Sequence, residues 1–418
     1  MGHNGWGDRE LKRYLRTAVL ILIPAGLFLG AVLYYINLHH MTPAFQTVTR
    51  YAYLALFAAL AVMSWKFNRS RVFFCILSMA LCQALLALKL PTVIPPESFQ
   101  HEAFVFMGIF IPANILVFSF FKERGIFTLW GALRIMLLIL QCLLFLWWSG
   151  INGHSLSSVF TTSRLWKVGS LLPGISQPSM IVSLLAMAVL MARGIICKSF
   201  FDMAFTAVIP MSAAAAGLQG ENLAVPVFYA FAGLVMLIAI IQDSYFMAFR
   251  DELTGLPSRR ALKHEMMKLS GHYTIAMVDV DFFKKFNDTY GHDVGDQVLR
   301  MVSAVMRDAG GGGKPFRYGG EEFTMLYPGK GVKEALPYLE ELREAIAKRK
   351  FTLRSHKRPK KKPKKRGSGT AKGKQLSVTV SIGAAERCDK HRKPDEVIKA
   401  ADTALYRAKK KGRNCVCK

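Results

Sequence analysis

The sequence predicts two architectures in one chain: a membrane-embedded, all-α N-terminal half, then an α+β domain with an antiparallel-rich sheet and helices packed on it. Two observations carry the first half. The 418 residues are 52% hydrophobic and their mean hydropathy is +0.26, too apolar for two ordinary soluble domains. The excess lies almost wholly before residue 250, in mostly apolar runs long enough to cross a hydrocarbon core. A third observation carries the second half: beyond residue 250, short strand-like runs alternate with amphipathic helical patterns.

Taken in order, the apolar runs lie near 17–36, 51–66, 72–90, 103–121, 127–148, 178–197, 202–218 and 223–247, which makes eight expected spans. The seventh is the weakest, because Pro210 interrupts it. Basic residues test the count. With the N-terminus in the cytoplasm, Arg9, Lys12, Arg13, Arg16, Lys66, Arg69, Arg71, Lys122, Arg124, Arg193 and Lys198 all fall inside. The outer loops hold chiefly Arg50, Lys89, Arg164 and Lys167, so an even count obeys the positive-inside rule. The expected division is a transmembrane domain over 1–242, a helical linker over 243–250 and a catalytic domain over 251–418. Within the membrane half, Arg134 is an intramembrane charge, read either as a functional group or as a snorkelling interfacial residue. His39 and His40 at the outer end of the first span, and His154, Ser155 and Ser157 in the 149–177 connection beside Trp147 and Trp148, read first as interfacial and loop polars. A small-ligand sensor is the sharper reading.

The C-terminal patterns predict a helix from Ser258, a strand at 274–280, a helix from about 294 and hairpin strands around 316–327. They continue with a helix over 332–348, strands near 351 and 376–385, and a helix over 394–411. That order suits a ferredoxin-like α+β sheet. The chemistry concentrates in Arg317-Tyr318-Gly319-Gly320-Glu321-Glu322-Phe323, where a Gly-Gly pair between strand-like runs, both able to take positive φ, predicts a tight turn crowned by Glu321 and Glu322. Carboxylates on such a turn are good ligands for hard cations. Upstream, the buried strand ends in Asp279 and Asp281. A loop then follows with Lys284 for phosphate and Asn287 and Asp288 able to read a base edge.

These residues resemble the GGDEF domain of diguanylate cyclases. Five blocks in the family's order carry the resemblance: 251–260 (DELTGLPSRR), 278–296, 317–323, 378–384 and 400–414. It implies a nucleotide-cyclase-like fold and condensation of two GTP into cyclic di-GMP and two pyrophosphates. The 3′-hydroxyl of one GTP would attack the α-phosphate of the other. Carried over position by position, it implies Asp279, the Val280 carbonyl, Glu321 and Glu322 as metal ligands, for magnesium or alternatively manganese, two ions per site. Glu321, Glu322 and Lys284 take catalytic places, with Glu321 as base or as metal ligand only. Asn287, His292 and Asp296 contact guanine and ribose; the backbone of Phe282 and Phe283, with Lys409 and Arg413, contacts the phosphates. One GTP per domain implies a homodimer. The resemblance also implies a bacterial cytoplasmic (inner) membrane. Separately, the apolar spacing through Ile238, Ile241, Tyr245 and Phe249 reads as one helix continuing past the membrane to Asp251, through which the multi-pass region would control dimer geometry.

One departure stands out. Where many members carry Arg-x-x-Asp before the turn, this chain has Gly310 and Gly313, so the primary product-inhibition site is expected to be missing. The net charge of +27 does not point to a nucleic-acid enzyme, because 12 of the 55 basic residues lie in one stretch, 350–374. Its insertion, 354–374, is read either as electrostatic docking to anionic lipid or as a solvated loop. The seven cysteines give no disulfide and no zinc site. The competing function classes are a catalytically inactive GTP-binding receptor that signals to a protein partner, and a transporter or membrane receptor with a regulatory cytoplasmic domain. The complete metal, base and phosphate set argues against the former; the absence of an acidic relay through the spans argues against the latter.

Overall fold

The computed structural model describes residues 4–87, 96–151, 175–197, 199–218, 221, 223–352 and 375–418, with side chains from residue 21 onward except at 39, 96–98, 149–151 and 352. The 354–374 insertion and His154, Ser155 and Ser157 lie outside the described residues. The chain divides into two compact units, 1–244 and 245–418.

Among its described residues the regular elements of the first unit are helical: α1 (Asn4–Asn37), α2 (Pro43–Lys66), α3 (Ser70–Ala87), α4 (Pro96–Phe120), α5 (Leu129–Phe145), α6 (Gln177–Cys197), α7 (Phe200–Gly217) and α8 (Ala224–Phe249). Among the described residues, seven helices are long and apolar enough to cross a membrane, and α1 contributes a shorter apolar stretch, Ile21–Asn37. Pro210 does not break the helix expected to be weakest; it sits inside a continuous and largely buried α7. Local signals set the starts. The Thr128 hydroxyl accepts from Gly131 N–H to cap α5, and Ser199 accepts from Asp202 N–H to cap α7. Polar pairs join the helices inside an apolar core. Asn114 and Gln141 exchange amide hydrogen bonds at 2.9 and 3.1 Å while Asn114 also donates to Ser78. Arg193 pairs with the fully buried Asp202 at 3.2 Å, and Arg69 pairs with Asp243 on α8.

The second unit begins in the last turn of α8 and continues through α9 (Arg259–Met266), β1 (Tyr273–Val280), α10 (Phe283–Tyr290), α11 (His292–Arg307), β2 (Lys314–Gly319), β3 (Glu322–Pro328), α12 (Val332–Lys348), β4 (Phe351–Thr352), β5 (Gln375–Leu376), β6 (Val380–Glu386), α13 (Pro394–Lys410) and β7 (Val416–Cys417). Its five-stranded sheet runs β2-β3-β1-β6-β7. β1 is central, antiparallel to both β3 and β6; β7 lies parallel to β6. Strand alternation divides β1 between two faces. Ala276, Val278 and Val280 join a core with α11 and α12, whereas Ile275 faces α9 and Met277 faces α13. Asp279 continues the second face.

Two expectations need correction, and one element is new. The stretch after β1, read as a loop until about 294, is two helices: α10 starts at Phe283 and α11 at His292, with Gly291 at φ +85° between them. The strand expected over 376–385 is interrupted, with β5 paired to β4 in a separate two-stranded sheet and β6 starting at Val380. β7 was not anticipated; two residues carry no period of their own.

Candidate active site

The site is built where β1 ends beside the β2–β3 turn. Gly319 pairs with Glu322 across the hairpin, so Gly320 and Glu321 are the turn residues. The Gly-Gly pair is therefore not itself the turn pair, and of the two glycines only Gly320 takes positive φ, +35°. Glu322 is accordingly a strand residue, paired with Asp279, and only Glu321 crowns the turn. The Glu321 carbonyl accepts from Val280 N–H at 3.4 Å, tying the turn to the end of β1. Arg317 fastens it from behind. Its guanidinium donates to the Gly320 carbonyl at 2.7 and 3.2 Å and to Asp251 at 2.7 Å. Asp251 also accepts from both the backbone and the hydroxyl of Thr254, so the first motif after α8 is bonded to the acidic turn.

Asp279 is only 4% exposed, and its partner is Lys409, 2.9 Å away. Close helix–sheet contact explains the meeting. A Cβ on Gly383 of β6 would lie 1.9 Å from the Leu405 nitrogen, so only glycine lets α13 approach this closely. Lys409, one turn beyond Leu405, then reaches Asp279. Burial pushes the Asp279 carboxyl above its ordinary range, and the Lys409 hydrogen bond and charge offset part of this. Glu321 and Glu322 are raised as well, first by burial and then by the Asp279 charge. Three acids that repel one another around one lysine leave surplus negative charge, which suits a divalent cation. Among the described residues, no three His, Cys, Asp or Glu side chains are already gathered as a cage. The fitting donor set is the two carboxylates of Asp279 and Glu321 with the Val280 carbonyl, and Lys409 now compensates the charge there.

Asp281 looked equally available in sequence, but the structure gives it another role. Its carboxylate accepts from the Thr379 and Ser381 hydroxyls at 2.7 and 2.6 Å and from Asn414 N–H at 3.1 Å. It is a latch holding the chain after α13 against the end of β1. That latch accompanies left-handed backbone at Arg413 (φ +67°) and Asn414 (φ +45°). Arg413 in turn lies 4.2 Å over the ring of Phe282, itself left-handed at φ +56°. Non-glycine residues in this region cost about 1–3 kcal/mol each and gather at functional sites.

Phe282 is the N-cap of α10 and supplies no side-chain cap, so the first N–H groups of that helix are left for an anion. The Phe283 side chain is core, and only its backbone serves the site. Lys284 is exposed on the first turn of α10 and His292 on that of α11. Asn287 and Asp296 are half-buried. The Asn287 Oδ1 atom is buried without a hydrogen-bond partner. It occupies space left by Gly295, where a Cβ would lie 1.9 Å away. An orphaned acceptor of this kind fits a donor from a purine edge. The structure therefore gathers Asp279, Val280, Glu321, Glu322 and Lys409 around the end of β1, and pairs Phe282 with Arg413. It sets Asn287, His292 and Asp296 on the neighbouring α10–α11 pair. Sequence reasoning missed the Asp251–Arg317 ion pair, whose only signal was a charge of each sign far apart in the chain, and the Asp281–Asn414 tie, a backbone N–H bond that leaves no signal at all.

Residues 248–415 match the family described as "Diguanylate cyclase, GGDEF domain". The response regulator PleD of Caulobacter vibrioides is 34% identical over 185 residues, covering 42% of this chain and 37% of PleD. The diguanylate cyclase VdcA of Vibrio cholerae is 35% identical over 187 residues, covering 43% and 48%. The solved coiled coil and GGDEF domain of DgcB from Caulobacter crescentus, in complex with c-di-GMP, is 32% identical and covers 44% of this chain and 93% of that one, with a TM-score of 0.39. The chain spans less than half the length of both curated relatives. Residues 248–415 of this chain belong to the GGDEF domain family.

Proposed function

We propose that the chain is a membrane-bound diguanylate cyclase that condenses two GTP into cyclic di-GMP. The observation that carries the reading is the buried Asp279 beside the Glu321 turn, with Lys409 bonded to that carboxylate. Asp279, the Val280 carbonyl and Glu321 would hold a divalent ion, magnesium or manganese, and Glu322 would contact a second. A divalent ion there neutralises charge developing on the transferring phosphoryl group. Lys409 would move from Asp279 to the triphosphate, joined by Arg413 and Lys284. The uncapped N–H groups at Phe283 and its neighbour would bind phosphate oxygens. Asn287 and Asp296 would accept from the purine, with His292 at the ribose. Glu321, whose raised carboxyl burial has made more basic, would take the 3′-hydroxyl proton or orient that hydroxyl.

One nucleotide per domain requires two domains with opposed sites, so the active form is a homodimer. The membrane region would set dimer geometry through α8, a single helix from Ala224 to Phe249 that ends one residue before the Arg250–Pro257 bridge. The N-terminus and catalytic unit would both face the cytoplasm of a bacterial inner membrane. Gly310 and Gly313 offer no guanidinium or carboxylate for product binding, so no primary inhibition site is proposed. The test is to incubate the full chain in lipid nanodiscs with GTP and magnesium and to resolve the products by chromatography. Cyclic di-GMP and pyrophosphate support the reading; GTP bound without turnover would make the chain a nucleotide receptor instead.

A further inference from the structure

Between the end of α4 and the outward side of α5 lies a cavity of about 600 Å³. Its two ends differ in chemistry. Leu133, Leu137 and Leu140, spaced at helical intervals along α5, line one side with exposed apolar surface. At the other end, where α4 gives way to the connection before α5, Lys122, Arg124 and Arg134 converge.

Two of the three cations are held in place by different means. The Arg124 guanidinium lies 4.7 Å over the Trp130 ring. Arg134, 6% exposed, donates to the Ser70 hydroxyl at 3.0 Å and to the Lys122 carbonyl at 3.1 Å, and stands 5.0 Å from the Phe121 ring centroid. The nearby acid, Glu123, is turned to α3: its carboxylate accepts from the Ser70 hydroxyl and pairs with Arg71. The mouth is therefore cationic and the wall apolar. If α4 and α5 cross a bilayer, as their length and composition permit, the mouth lies at headgroup level and the wall in hydrocarbon.

We propose that this cavity binds one anionic phospholipid, with its phosphodiester on Lys122, Arg124 and Arg134 and one acyl chain along Leu133, Leu137 and Leu140. Charge complementarity selects this occupant. A zwitterionic lipid brings its own cation to a mouth that already has three, whereas basic pockets between spans favour acidic headgroups. The inference rests on the membrane reading and is independent of the cyclase chemistry. Through Arg134 and Ser70, the bound headgroup would tie the α4–α5 connection to the start of α3.

The test places the full chain in phosphatidylcholine nanodiscs and titrates phosphatidylglycerol carrying brominated acyl chains. Quenching of Trp130 is isolated as the difference between wild type and Trp130→Phe. Brominated phosphatidylglycerol should quench Trp130 at a mole fraction at least about tenfold below that needed for brominated phosphatidylcholine, a preference worth about 1.4 kcal/mol. In Lys122→Gln/Arg124→Gln, whose altered side chains are exposed, the preference should vanish while the thermal transition stays in place. Equal quenching by the two lipids, no quenching by either, or an undiminished preference in the double variant would overturn the proposal. Inorganic phosphate alone relieving the quenching would assign the cations to a soluble anion and would also overturn it.

Discussion

Replacing Lys409 by Met probes the electrostatics of the site without touching a proposed metal ligand. The 2.9 Å pair with Asp279 would vanish, leaving a carboxylate 4% exposed with no bonded cation. Removing one partner of a fully buried pair costs about 3–5 kcal/mol. Lys409 is itself 34% exposed, so water screens the orphaned charge and about 2–3 kcal/mol is the fitting estimate. The alternative is protonation of Asp279, which from an ordinary carboxyl at about pH 7.5 would cost about 5 kcal/mol and costs less here because burial already raises it. For a unit of this size the loss corresponds to a fall of roughly 5–10 °C in the melting temperature.

The pH dependence has a definite sign. Asp279, Glu321 and Glu322 are all raised in the folded state. Their contribution is fully present below the ordinary carboxylate range and is lost as pH rises through the raised folded-state values. Most of the variant's deficit should therefore disappear at about pH 5. Calorimetry of the full chain in EDTA at the two pH values would read this. Added magnesium should raise the melting temperature of Lys409→Met more than that of wild type, because the ion no longer competes with a lysine. An equal deficit at both pH values, or a larger magnesium shift in wild type, would refute the reasoning.

Arg317→Met should lower kcat by roughly a hundredfold with little change in the KM for GTP, since the guanidinium holds the turn and not the nucleotide; steady-state kinetics with Arg317→Lys as the comparison would check this. The same variant should raise the Asp251 carboxyl, which burial pushes up but bonds from Thr254 and Arg317 now hold below its ordinary range. Gly383→Ala puts a methyl against the backbone of Leu405 and Ala401 and should destabilise the C-terminal unit by about 3 kcal/mol or more, read by denaturant titration. Micromolar cyclic di-GMP should leave initial rates unchanged, because Gly310 and Gly313 carry no side chains to bind it; inhibition that depends on the 310–313 segment would contradict this.

Much of the fold could be read directly from pattern. The amphipathic period of α12 gave its bounds, Val332–Lys348, and the apolar run of β1 was misjudged by a single residue. Both elements bury one face against a regular partner, so their periodicity is unbroken. α10 was harder to see. Phe283 is core, but the helix is eight residues long and opens on a left-handed Phe282, a conformation that sequence does not announce. Asp279 and Asp281 show the same limit at the site. They sit two apart, one on β1 and one just past its end, and are chemically identical, yet one faces Lys409 and the other is consumed by Thr379, Ser381 and Asn414. Partners about 100 residues away decide which acid remains available, and no local pattern encodes them. In the N-terminal unit the long apolar helices were legible by composition alone, although among the described residues seven, not the eight expected, are long and apolar enough to cross a membrane. The Asn114–Gln141 pair and the Arg134 contacts were not legible, because helix-to-helix neighbours leave no period in the chain.

The most direct measurement of the central claim is cyclic di-GMP formation by Asp279→Asn and Glu321→Gln in the full chain, with folding verified by an unchanged thermal transition of the C-terminal unit. Either amide removes a carboxylate while keeping its shape, and the account predicts that product falls to background with GTP and magnesium in excess. Product formed by either folded variant at the wild-type rate would contradict it.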